Sequence, residues 1–202
     1  MTINSNNPEY SRYLDSWRKR CFDVVACSLM LVPALIALGL AALVILIREG
    51  RPIFFIHQRA GKEGRLFWMP KLRTLRRQAK PYEPFAHLHN ASFVTPTGDF
   101  LRRHKLDELP QLFSVLTGRM SLIGPRPALP NVVEGYDSFQ RKRLLARPGV
   151  TGLWQVMGNH HVGMHEDMKY DLYYLRRASL WLDIKILAMT VPVVLNLERE
   201  KK

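Results

Sequence analysis

Two short strand-like stretches among several helical ones, and one long uncharged apolar run, predict a mixed α/β fold that rests on a membrane. The 202 residues suit one domain of ordinary size with a core of its own. The balance of 30 Lys+Arg against 17 Asp+Glu gives a formal charge of +13. Such a surface attracts polyanions: nucleic acid, anionic headgroups or phosphorylated substrates. Charge alone does not choose among them. Cys21 and Cys27 fit neither a disulfide framework nor a metal knuckle and read as reduced, small apolar residues. The sequence shows neither an internal repeat nor a low-complexity tract.

The apolar run from Val24 to Ile47 holds no charge. A straight helix of that length spans the roughly 30 Å of bilayer hydrocarbon. Arg18, Lys19 and Arg20 precede it, and Arg48 and Arg51 follow. The positive-inside rule wants both flanks in the cytoplasm, which one crossing cannot provide. Pro33 removes a backbone donor and favours a bend. A bent, re-entrant helix that returns to the same face satisfies both flanks; a straight crossing with a short basic tail outside is the alternative.

Ahead of this run, Tyr10, Tyr13, Leu14, Trp17 and Phe22 amid charges fit an interfacial helix. After Pro52, "IFFIHQRAGKEGRLFWMPKLRT" reads as a hairpin turning through Gly61 and Gly64. Three prolines make residues 78–97 a loop and a candidate lid. Leu109, Leu112, Phe113 and Leu116 recur at helical spacing, and that helix stops near Gly118. A helix is expected around 131–145, and the C-terminal portion reads as two helical pieces, the last interfacial or packed.

The chemistry concentrates in "LDELPQLFSVLTGRMSLIGPRP". The plain reading makes Asp107 an N-cap with Pro110 in the first turn of the helix. The same geometry also serves phosphoryl transfer. A carboxylate held ionised at a helix start can attack phosphorus, and its neighbour Glu108 can hold Mg²⁺ on the phosphate oxygens. Arg102, Arg103, His104, Lys105, Arg119 and Arg126 surround the pair in sequence. For Arg103 and Lys105 the reading is a solvated basic face. Arg126 differs, because prolines on both sides favour a rigid, extended presentation of its side chain. "RPGVTGLWQ" has glycines that let a backbone approach a ligand closely. His160, His161 and His165 with Glu166 are a weaker metal candidate, lacking any cysteine.

Five segments in order resemble one family, the monotopic phosphoglycosyl transferases of the bacterial sugar transferase type. They are "KRCFD", "IFFIHQRAGKEGRLFWMPKLRT", "LRRHKLDELPQLFSVLTGRMSLIGPRP", "RPGVTGLWQV" and "DLYYLRRASLWLDIKIL". The resemblance implies transfer of a sugar-1-phosphate from a nucleoside-diphosphate sugar, typically a UDP-sugar, to polyprenol phosphate, with release of UMP. It implies Asp107 as the nucleophile of a covalent phosphosugar intermediate and Glu108 as its partner at Mg²⁺. Arg102 matches a phosphate-contacting arginine, Pro125, Arg126 and Pro127 match a motif near the nucleotide, and Asp183 matches a further functional carboxylate. Pro33 matches the break of the re-entrant helix. The implied layout is an interfacial and re-entrant membrane helix over residues 1–48 and a catalytic domain over 49–202, on the cytoplasmic face of a bacterial inner membrane. Anionic lipids are implied partners, nucleic acid is not, and a homodimer is left open.

Val32, Arg119 and Asn159 depart from the family pattern, where serine, aspartate and arginine are usual. The first bears on the bend, the others on recognition of sugar or phosphate. A non-catalytic basic adaptor of a glycan-assembly complex is the alternative function. A membrane-tethered nucleic-acid binder rests only on charge and scattered aromatics, with no recognition helix or stacking motif.

Overall fold

The computed structural model describes residues 10–77, 93–158 and 168–195. A 3-10 turn over Arg12–Asp15 leads into helix α1, Trp17–Glu49. The Ser16 hydroxyl caps α1 by accepting the Lys19 N–H at 3.2 Å. The aromatic lead is therefore not one interfacial helix: Tyr10 and Leu14 turn into the core, while Trp17 is exposed.

Helix α1 is one element through Pro33, about 50 Å long for its 33 residues. It is long and apolar enough to cross a membrane, and the only such helix among the described residues. Its inner stripe, Lys19, Asp23, Cys27, Ala41 and Ile45, is buried against the body. Val25, Leu29, Val32, Ile36, Leu40, Leu43 and Ile47 face outward. Both ends are tied down. Near the start, Arg20 donates to the carbonyls of Val115 and Leu116 at 2.6 and 2.7 Å. At the finish, Arg73 donates to those of Glu49 and Gly50, both at 2.9 Å. Each arginine adds a bond to carbonyls at the C-terminal end of a helix.

The expected hairpin is present. Strands β1 (Phe54–Ala60) and β2 (Leu66–Leu72) pair antiparallel, with Phe54 opposite Leu72 and Ala60 opposite Leu66. Their turn, Lys62–Gly64, needs a positive φ of 76° at Gly64. Helix α2 (Pro96–Arg103) begins where a loop was expected, because the Thr95 hydroxyl caps it by accepting the Gly98 N–H at 2.9 Å. The expected lid otherwise lies at residues 78–92, outside the described residues.

Helix α3 (Gln111–Leu116) stops just before Gly118, whose φ is 77°, as its sequence predicts. Its buried face carries Leu112 and Val115, while Phe113 is exposed. Two short strands that no periodicity announces, β3 (Ser121–Ile123) and β4 (Gly149–Thr151), pair in parallel. Between them the expected helix over 131–145 is two pieces, α4 (Pro130–Glu134) and a 3-10 turn over Gln140–Leu145. The break is local: Asp137 accepts the Gln140 N–H at 2.7 Å and starts the second piece afresh. Helices α5 (Leu153–Met157), α6 (Lys169–Arg177) and α7 (Leu180–Val194) complete the described chain. The main core joins Cys27 of α1 to Leu112, Val115, Leu122, Ile123, Tyr174 and Ile186, so this long apolar helix is part of the body's own packing.

Candidate active site

Asp107 is not the cap of α3. It sits with Glu108 in a single 3-10 turn, Leu106–Glu108, entered through Lys105 at a left-handed φ of 56°. Pro110 occupies the N-cap position of α3. The kink at Lys105 turns both carboxylates inward, where each is buried. Strand β2 supplies the cation between them: Lys71 Nζ lies 2.6 Å from Glu108 Oε1 and 3.9 Å from Asp107 Oδ2. From the far side, Arg126 Nη2 reaches Glu108 Oε1 at 2.9 Å. Lys71 carries no signal of its role in the sequence, since a lysine in an alternating strand looks like any solvent-facing charge.

The two carboxylates are driven apart in acidity. Burial works to raise Glu108, but Arg126 and Lys71 outweigh it and hold the carboxyl well below its ordinary range. Asp107 goes the other way, raised by burial and by the neighbouring Glu108 charge, against Lys71. One group is fixed as an anion while its neighbour is a less stabilised, more basic carboxylate.

Arg102 is half-buried, and its Nε donates to the Thr74 hydroxyl at 2.9 Å, with Asp107 in electrostatic reach. Lys105 is exposed as expected, yet it too stands in electrostatic reach of both carboxylates. Arg103 pairs with Asp99 on the surface of α2, and Arg119 is exposed after α3. The glycines of "RPGVTG" approach the chain rather than open space. A Cβ on Gly149 would come within 2.2 Å of the Gly124 nitrogen, and one on Gly152 within 2.1 Å of its carbonyl oxygen. They let β4 close on the start of "GPRP".

Asp183 is placed elsewhere. It is 0% exposed, with Lys19 Nζ at 2.7 Å and the hydroxyls of Tyr13 and Tyr174 at 3.0 and 2.8 Å. Lys19 also pairs with Asp23 at 2.9 Å. Asp23 in turn accepts the Leu122 N–H and the Ser121 hydroxyl, each at 3.1 Å. This buried network joins α1, α7 and β3. Asn159, His160, His161, His165 and Glu166 lie outside the described residues.

Among the described residues no three His, Cys, Asp or Glu converge on one point. Two adjacent carboxylates are still a hard-oxygen donor set, and Mg²⁺ commonly binds through one or two carboxylates plus substrate phosphates. Lys71 and Arg126 share the same Glu108 oxygen, so Asp107 and Glu108 fit a Mg²⁺ that the substrate helps to hold.

A family model described as "Bacterial sugar transferase" matches residues 14–197. The chain belongs to the bacterial sugar transferase family. It is 38% identical over 201 residues to an undecaprenyl-phosphate galactose phosphotransferase of Salmonella typhimurium, covering 92% of this chain and 41% of that protein. It is 36% identical over 200 residues to the exopolysaccharide production protein ExoY of Rhizobium meliloti, covering 91% of this chain and 88% of ExoY. It is 33% identical over 185 residues to a UDP-N-acetylgalactosamine-undecaprenyl-phosphate N-acetylgalactosaminephosphotransferase of Aeromonas hydrophila, covering 88% of this chain and 44% of the relative. This sugar transferase chain thus spans less than half the length of two of these relatives and most of the third.

Proposed function

We propose that this sugar transferase is a phosphoglycosyl transferase that moves a sugar-1-phosphate from a UDP-sugar to polyprenol phosphate. The supporting observation is the pair itself: a basic, buried Asp107 beside a Glu108 held ionised by Lys71 and Arg126. An Asp107 oxygen attacks the phosphorus that bears the sugar. The bond from that phosphorus to the bridging oxygen breaks, and UMP leaves with the electron pair. A phosphate oxygen of the polyprenol phosphate then attacks the same phosphorus and Asp107 departs as carboxylate. Mg²⁺, when bound, neutralises charge on the diphosphate. Arg126, Lys71, Lys105 and Arg102 surround the pair with cations suited to phosphate oxygens. The Salmonella and Aeromonas relatives are named for galactose and N-acetylgalactosamine transfer, so the donors to try first are the UDP-linked forms of those sugars. The product is the lipid-linked start of an exopolysaccharide or O-antigen.

The membrane arrangement follows the same reading. A helix that crosses once carries its ends to opposite faces, whereas Arg20 and Arg73 bond both ends of α1 to one body. That supports a re-entrant α1, and the charge of +13 supports a body on the cytoplasmic face beside anionic lipid. The test is UMP release from a panel of UDP-sugars with polyprenol phosphate and Mg²⁺. Wild type is expected to turn over one donor, Asp107→Asn none, with a phosphosugar adduct on wild type alone by intact mass. Silence across the panel from folded protein in lipid overturns the function and favours the adaptor.

A further inference from the structure

Arg126 meets Glu108 with its side chain, but its main chain is held from behind. Prolines at 125 and 127 have no N–H, so this segment can be fixed mainly through its carbonyls. All three are taken. The Gly149 N–H donates to the Pro125 carbonyl at 2.9 Å. Arg143 Nη2 donates to that of Arg126 at 2.9 Å, and Arg59 Nη1 to that of Pro127 at 3.1 Å.

Arg143 is the unexpected member. It lies on the 3-10 turn Gln140–Leu145 and is 2% exposed. Its guanidinium also pairs with Asp171 of α6 at 2.7 Å and donates to the Tyr136 hydroxyl at 2.7 Å. A buried cation is costly unless paired and hydrogen-bonded, and this one is both. Its planar fork reaches a carboxylate, a hydroxyl and a carbonyl together, a geometry that lysine cannot copy.

We propose that Arg143, fixed by Asp171, is a positioning residue that sets where the Arg126 guanidinium meets Glu108 and the diphosphate of the donor. This rests on the function proposed above. Neither residue touches substrate; both act through the main chain of residue 126. Helix α6 thereby helps set a site whose side chains come from β2, the 106–108 turn and the segment after β3.

The experiment is steady-state kinetics of UMP release for wild type, Arg143→Lys and Asp171→Asn, with the KM of donor and of polyprenol phosphate measured separately. A displaced Arg126 loses a charge-assisted contact, so Arg143→Lys raises donor KM about tenfold and leaves acceptor KM unchanged. Asp171→Asn, nearly the same shape, moves donor KM in the same direction by less. A fall in kcat alone with both KM values unchanged means loss of folded enzyme and overturns the inference; so do equal rises in both KM values or wild-type kinetics in the variants. Where Arg143→Lys does not fold, Asp171→Asn and Tyr136→Phe decide by the same reading. A silent wild type would remove the function and this inference together, whereas an active wild type with unchanged donor KM in the variants removes the inference alone.

Discussion

Replacing Lys19 by Met tests the buried network that ties α1 to the body. Lys19 is 2% exposed and lies between Asp23 at 1% and Asp183 at 0%, with contacts of 2.9 and 2.7 Å. Methionine fills much of the volume but leaves two carboxylates without their cation. Removing one partner of a buried ion pair costs about 3–5 kcal/mol, a large share of the roughly 5–15 kcal/mol that holds a domain together. At about 2–4 °C per kcal/mol for a chain of this size, the thermal midpoint should fall by roughly 6–20 °C. Intrinsic fluorescence of protein in lipid nanodiscs reads that midpoint. The pH dependence carries a sign. Burial already raises the Asp183 carboxyl, opposed by Lys19 and the two tyrosine hydroxyls. Without Lys19 it rises further, so the folded state binds a proton that the unfolded state releases above the usual carboxylate range. Stability relative to wild type then falls as pH rises through that window and recovers on acidification. Adding Asp183→Asn to Lys19→Met should restore part of the loss, and Asp183→Asn alone should leave donor KM unchanged. A midpoint within about 2 °C of wild type at neutral pH would refute the reasoning, as would a deficit that grows in acid.

Lys71→Met removes the closer of the two cations on Glu108, and turnover should fall about 100-fold with folding intact, the scale of a lost preorganised donor; unchanged UMP release would remove Lys71 from the site. His57, buried in β1, is pushed from 6.5 down to about 3 by burial and by the Arg59 and Lys71 charges. Its neutral form belongs to the folded state, so stability drops as pH falls from 6.5 towards 3, and His57→Gln should flatten that part of the midpoint-against-pH curve. Single cysteines at positions 12 and 51 in a Cys21→Ser, Cys27→Ala background should react with an impermeant maleimide from the same membrane face; labelling from opposite faces means that α1 crosses.

The sequence showed the parts whose signals are local. Gly61 and Gly64 announced the hairpin, Gly118 the end of α3, and the uncharged run the long helix. Asp107, Glu108 and Arg126 were visible because the motif places them close together in sequence. What stayed hidden depends on long-range contacts. Lys71 lies 37 positions from Glu108, and Arg143 binds a carbonyl and a helix that no spacing connects. Three-residue strands such as β3 and β4 show no alternation, and their pairing follows from glycines that allow close approach. D-E-x-P before an apolar run is a sound cap signal, and the half of the expectation that made Asp107 a cap fails because the left-handed Lys105 that displaces it has no signature in residue type.

A long apolar helix that served only as an anchor could have been joined to the body by a loose tether. Here Asp23, on the second turn of α1, accepts from Ser121 and Leu122 of β3. Tyr174 bonds both Asp183 and the Ile123 carbonyl at the end of that strand. Four positions after Leu122 comes Arg126, whose carbonyl is pinned by Arg143 and whose side chain holds Glu108. Bonded contacts therefore lead from the helix through β3 and the short pinned segment after it to the carboxylates. On the proposed function this has a physical use. The phosphate of a polyprenol acceptor is confined near the headgroups by its chain, so the reacting phosphorus must be held at that depth. On that reading, the depth at which α1 sits in the bilayer sets the height of β3, and β3 sets the height of the site.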